Sequence, residues 1–290
     1  MTMQGALQVD LPGGELSTAK MPGHWLLARL GKRVLRPGGL AMTMAMLRNI
    51  RITPQDDVVE LAPGLGSTAR LILAASPRSY VGIERDPDAS AWSKRQLPRA
   101  NNVWVVTGKA DDTGLLDGCA SIVVGEAMLT MNPTEHKRRI VEEAYRLLRP
   151  GGRYAIHELC VPDTITTAEH QALMRDLSSA IHVGARPLRI REWCALLKQA
   201  GFEIAAMEKA PMDLLRPKRL IEDEGALGAL RIARNILLDP AARRRVFAMR
   251  AVFERHRQHL SAIHIVAVKR TPATGPQRKM KEKETCDVLS

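Results

Sequence analysis

A chain of 290 residues with 45% apolar and 26% charged side chains can bury a full core, as one large domain or two small ones. No apolar run is long enough to span a bilayer, since residues 42–47 are short and end on Arg48. The net charge of +12 points to an acidic partner (nucleic acid, anionic membrane or anionic substrate), but only 3% aromatic residues disfavours single-strand stacking on nucleic acid.

Residues 1–20 show little periodicity and are expected to be mobile. They lack the charged, apolar and small-residue regions of a signal peptide, so a cytoplasmic protein is expected. Cys119, Cys160, Cys194 and Cys286 are far apart and without metal-ligand spacing, which reads as reduced thiols and no metal. Residues 23–35 carry Trp25, Leu26, Leu30 and Val34 at helical spacing with Arg29 and Arg33 beside them, and Pro37-Gly38 stops that helix. A Met- and Leu-rich helix follows over about 40–50. This helix pair either packs on the core or caps a ligand mouth.

The centre of the chain is residues 57–69. Val58 and Val59 begin a buried strand, Pro63, Gly64 and Gly66 make a turn, and Leu71, Ile72 and Ala75 fall on one helix face. A strand that turns into a helix leaves backbone N–H groups free for a nucleotide or an anionic group. A second strand, 80–84, ends on Glu84, about 20 residues beyond the turn, where an acid can accept both hydroxyls of a ribose. Further strands are predicted at 103–106, 120–126, 153–158, 202–207 and 262–268. Helices are predicted between them at 89–97, 134–148, 166–182 and 190–200. This alternation predicts an α/β fold with a parallel sheet covered on both faces. Residues 213–257 hold eleven Arg and Lys among Leu, Ile and Ala, and read as two or three helices inserted before the last strand. Their basic face is a solvated surface, a lid over an anionic acceptor, or a dimer contact. Residues 271–290 read as a disordered basic tail.

Taken together, these motifs resemble the class I S-adenosylmethionine-dependent methyltransferases over about 58–270. Glu60-Leu61-Ala62-Pro63-Gly64-Leu65-Gly66 is similar to the acid-x-Gly-x-Gly-x-Gly loop that holds the methionine portion. Glu84 matches the ribose acid, followed by Arg85. Gly108-Lys109-Ala110-Asp111 is similar to the adenine-contacting segment, and Glu126-Ala127-Met128-Leu129 to the segment that lines cofactor and acceptor. Leu147-Leu148-Arg149-Pro150-Gly151-Gly152 resembles the turn before strand five. The chain departs from the pattern at Ala62, where the first loop glycine is expected, and at Lys109, where an acid is expected.

The resemblance implies a seven-stranded, doubly wound, mostly parallel sheet with its last strand antiparallel. It implies a cap over residues 1–50 and a core over 51–270. It also implies S-adenosylmethionine as cofactor, held by Glu60, Ala62, Pro63, Gly64, Gly66, Glu84, Arg85, Ala110, Asp111 and Glu126. Methyl transfer to a small acceptor, anionic or apolar, needs positioning above all. If a base is needed, His157, Glu158 and Glu126 lie at the carboxyl ends of strands, where such sites form. The competing readings are a nicotinamide dehydrogenase, which Gly64-Leu65-Gly66-Ser67-Thr68-Ala69 also fits, and a non-catalytic module that binds S-adenosylmethionine.

Overall fold

The structure, a computed structural model, describes residues 11–271. Strands β1 (Asp57–Leu61), β2 (Ser79–Glu84), β3 (Val103–Thr107), β4 (Ala120–Glu126) and β5 (Leu148–Val161) pair in parallel in the order β3-β2-β1-β4-β5. Val58, Val59, Ile122, Val123 and Val124 are all buried, as a sheet covered on both faces requires. Strand β6 (Leu188–Arg189) adds two residues beside the end of β5. Strand β7 (Phe202–Pro211) forms the far edge, and β8 (Ser261–Lys269) runs antiparallel between β5 and β7. All seven expected strands are present with the last one antiparallel. The eighth, β6, exists because β5 runs on past Glu158 to Val161 and offers it a partner.

The helices are α1 (Gly23–Arg29), α2 (Gly39–Ile50), α3 (Ser67–Ala74), α4 (Pro87–Gln96), α5 (Thr134–Leu147), α6 (Thr167–Ile181), α7 (Ile190–Gln199), α8 (Pro217–Leu238) and α9 (Pro240–Arg255). On one side of the sheet, Ile140 of α5 and Trp193 of α7 pack with Leu61, Val123 and Ile263. On the other, Met46 and Ile50 of α2 and Ile72 of α3 pack with Val58, Ile122 and Val266. The inserted helices form their own cluster, in which Val246 and Met249 of α9 meet Leu26, Leu27 and Leu30. Among the described residues, no helix is long and apolar enough to cross a membrane.

The N-terminal region departs from expectation in two ways. The helix predicted over 23–35 ends at Arg29, because Gly31 turns the backbone to φ +108°. Residues 11–20, expected to be mobile, form turns anchored by Arg245, whose Nη1 donates to the Thr18 carbonyl at 2.6 Å and the Met21 carbonyl at 2.5 Å. Residues 1–10 and the basic tail beyond Thr271, with Cys286, lie outside the described residues.

After α1 the chain runs as an irregular strap, residues 30–38, to the start of α2. Two acids of α8 hold it. Glu224 Oε1 accepts the Arg33 and Val34 N–H groups, both at 2.9 Å. Asp223 Oδ1 accepts the Leu40 N–H at 2.8 Å, and its other oxygen lies 3.4 Å from the fully buried Lys32 ammonium. Thus Lys32 is an interior ion-pair member. Gly39 sits at φ +65°, and a Cβ there would lie 2.5 Å from Asp223 Oδ1. Gly39→Ala is therefore expected to destabilise the fold by about 2 kcal/mol. Urea unfolding at equilibrium, compared with wild type, measures it.

Candidate active site

The site lies at the carboxyl ends of β1, β2 and β4. There the sheet order reverses between β1 and β4, which is where open parallel sheets take up ligands. A cavity of ≈ 580 Å³ opens at this point, within the size range of ligand pockets. It is lined by Glu60, Ala62, Pro63, Gly64, Glu84, Arg85, Ala110, Asp111 and Glu126, nine of the ten residues singled out for the cofactor. The tenth, Gly66, lies behind the turn. Its φ of +71° ends the loop and starts α3, and its N–H donates to the Pro63 carbonyl at 2.9 Å.

The turn itself explains the substitution at its first glycine. Ala62 sits at φ +56°, so the backbone does take the left-handed form that the motif reserves for glycine. A lone methyl group tolerates this at a cost of about 1 kcal/mol. Gly64, at φ +54°, leaves its N–H to donate to Glu84 Oε2 at 3.0 Å. The other Glu84 oxygen accepts the Asp86 N–H at 3.1 Å, so β2's terminal acid is locked beside the β1 turn. Burial pushes the Glu84 carboxyl above its ordinary range, against those two hydrogen bonds.

Glu60 is 3% exposed and accepts one hydrogen bond, from the Tyr80 hydroxyl at 2.6 Å. Burial raises its carboxyl to about 7, with the charges of Glu126 and Glu84 adding to the rise while the Tyr80 hydrogen bond and Arg36 oppose it. Neither Glu60 nor Glu84 has an ion-pair partner among the described residues. After β3, Asp111 Oδ2 is 2.8 Å from His136 Nε2, and Lys109 also lines the cavity.

Glu126 stands in a different environment. Arg36 Nε lies 2.8 Å from its Oε2, which Thr68 also reaches, and Oε1 takes the Thr43 hydroxyl at 2.7 Å and His157 Nδ1 at 2.8 Å. Burial would raise this carboxyl, but the Arg36 charge and the His157 hydrogen bond outweigh burial and bring it to about 2. His157 is fully buried. The Gly38 N–H donates to its Nε2 at 3.1 Å, which leaves the proton on Nδ1 facing Glu126. Glu158 accepts four donors: the Met128, Leu129 and Thr130 N–H groups at 2.9, 2.7 and 3.0 Å, and the Thr130 hydroxyl at 2.6 Å. So of the three residues named for base catalysis only Glu126 lines the large cavity, and its oxygens are taken.

Several lining residues escaped the sequence reading as site residues: Arg36, His24, Trp25 and Met131. Arg36-Pro37-Gly38 reads locally as a helix stop, and only the fold carries Arg36 onto Glu126. His24 and Trp25 sat in a predicted cap helix with no chemical pattern around them.

The known proteins that this chain is similar to agree with the geometry. A model of the methyltransferase domain matches residues 59–156. An uncharacterized protein of Haemophilus influenzae is 32% identical over 219 residues, 74% of this chain and 85% of its own length. An uncharacterized methyltransferase of a Synechocystis species is 32% identical over 159 residues, 54% of this chain and 72% of its own length. In fold, the chain resembles phosphoethanolamine N-methyltransferase 2 of Haemonchus contortus, solved with S-adenosyl-L-methionine, at a TM-score of 0.66 and 15% identity over 88% of this chain and 58% of that one. The chain belongs to the class I S-adenosylmethionine-dependent methyltransferase family, and with that the nicotinamide dehydrogenase reading falls.

Proposed function

We propose that the protein transfers a methyl group from S-adenosylmethionine to a small-molecule acceptor, with residues 51–270 seating the donor and the strap and inserted helices enclosing the acceptor. The observation that carries this reading is the pair of buried carboxyl groups, Glu60 and Glu84, which line one ≈ 580 Å³ cavity and have no ion-pair partner among the described residues. A buried carboxylate without a counter-ion is costly, and a cationic ligand with hydroxyl donors supplies what both lack. Glu84 takes the ribose hydroxyls, the Ala62–Gly64 turn and Glu60 take the methionine end, and Asp111 takes the adenine edge. The donor, when bound, supplies an electrophilic methyl group on a sulfonium. The chain's own work is then to orient the acceptor and exclude water, and an enclosing strap suits a small acceptor better than a polymer. His157 and Glu158 serve as positioning residues in this reading. His157 orients Glu126 and the strap at Gly38, and Glu158 shapes the turn after β4.

Calorimetric titration of the full chain with S-adenosylmethionine tests the donor half of the proposal. One-to-one binding is expected, and an absence of binding overturns it. The titration also has a pH signature. Glu60 at about 7 holds its proton in the folded protein over a range where the unfolded chain has lost it, so its contribution to stability falls as pH rises from its ordinary value towards 7. A cationic ligand favours the ionised form. Binding at pH 6 is therefore expected to release up to one proton, and affinity to rise about tenfold between pH 6 and 8. In Glu60→Gln both effects should vanish, which titrations in buffers of different ionisation enthalpy can measure.

A further inference from the structure

A second cavity, of ≈ 100 Å³, adjoins the first beneath the strap. We propose that it seats the non-reacting part of the methyl acceptor, and that the acceptor is an uncharged, apolar molecule. This rests on the methyltransferase reading above. The two cavities share His24, Leu35, Ala127 and Met131 in their linings and so lie side by side at those residues.

The wall of the small cavity is hydrocarbon from three helices. Leu27 comes from α1, Leu177 and Ile181 from α6, and Met249 and Phe253 from α9. Among the described residues no Lys or Arg lines it, so none of them offers an anionic acceptor a counter-ion here. Its polar members are His24, Thr130 and Glu158. Glu158 already takes four donors, one of them the Thr130 hydroxyl, so its acceptor positions are filled within the fold. His24 is neutral at physiological pH, since burial lowers its imidazole to about 4 against the pull of Asp86. A charged group entering this space would lose its hydration and find no partner. A dry apolar cavity of about 150 Å³ holds benzene, so ≈ 100 Å³ admits a group of roughly four or five carbons.

The test uses the full chain, saturated with S-adenosylhomocysteine, and ligand-observed NMR with four probes: 1-pentanol, cyclopentanol, pentanoate and pentylammonium. The neutral pair is expected to bind at least about tenfold more tightly than the charged pair, a margin set by the missing counter-charge. Ile181, at the last turn of α6, lines the small cavity and not the large one. Ile181→Phe should weaken the neutral probes by about tenfold or more by filling the space, with S-adenosylhomocysteine affinity unchanged. Ile181→Ala, which enlarges it, should shift preference from 1-pentanol towards 1-heptanol. Equal binding of charged and neutral probes overturns the proposal, as does indifference of the neutral probes to both variants. Failure of S-adenosylhomocysteine to bind counts against the donor site instead, because the probes can be titrated without it.

Discussion

Glu84→Ala is expected to weaken S-adenosylmethionine binding by about a hundredfold to ten-thousandfold, as read by calorimetry. The magnitude follows from the hydrogen bonds at stake. A carboxylate offers about four acceptor positions, and Glu84 uses two of them on the Gly64 and Asp86 N–H groups. In the proposed ribose role the diol would use the remaining two. Hydrogen bonds to a charged acceptor contribute about 1.5–3 kcal/mol each, so losing two costs about 3–6 kcal/mol. Glu84→Gln keeps the shape and one acceptor oxygen, and should fall between alanine and wild type. The Gly64 N–H freed by the alanine variant lies at a cavity wall that water reaches, so the thermal midpoint of the unliganded variant should move little. Wild-type affinity in Glu84→Ala would remove the ribose role from this residue.

Glu126→Ala should unfold the protein more readily than any other single change at the site. Glu126 gathers Arg36, His157, Thr43 and Thr68, and Arg36 is 7% exposed. Removing one member of a buried ion pair leaves the other uncompensated, which costs about 3–5 kcal/mol. For a chain of this size that lowers the thermal midpoint by roughly 6–20 °C. The pH dependence carries the same signature. Glu126 is held at about 2, below its ordinary value, so its stabilisation is complete above that ordinary value and is lost as pH falls towards 2. The gap between wild type and variant in urea unfolding should therefore be widest near neutral pH and narrow on acidification below about pH 4.5. A gap that stays constant over that range would mean that packing, and not charge, accounts for the loss. The variant should also bind the donor less well, because Thr68 and Arg36 form part of the cavity wall that Glu126 holds in place.

His157 and Glu158 show why sequence reading stops at position and does not reach role. Both sit in β5, as the alternation of strands and helices predicted, but β5 runs on to Val161, so they lie level with the end of β4, His157 opposite Glu126, and not at the end of their own strand. Their hydrogen bonds come from elsewhere. The donor to His157 Nε2 is Gly38, 119 residues upstream, and the donors to Glu158 are in the turn after β4, about 30 residues away. Each therefore has its hydrogen-bonding capacity engaged by backbone that no local pattern connects to it. Glu84 and the Ala62–Gly64 turn were legible for the opposite reason. Their partners lie within one βαβ unit, 20 residues apart, where strand register alone brings the tip of β2 beside the turn after β1.

The order of strands and helices, the glycine turn and the acid after β2 follow from the sequence alone, because periodicity and backbone conformation are properties of neighbouring residues. The tertiary structure decided which charges are interior. Lys32, Arg36, Asp223 and Glu224 look like surface residues in sequence, yet they are buried in pairs that join the strap to α8 and to the cavity. It also decided that a hydrocarbon pocket adjoins the large cavity, because its wall is assembled from three helices distant in the chain. Long-range ion pairs and shared cavities depend on where separate elements meet, and that is fixed only when the whole core packs.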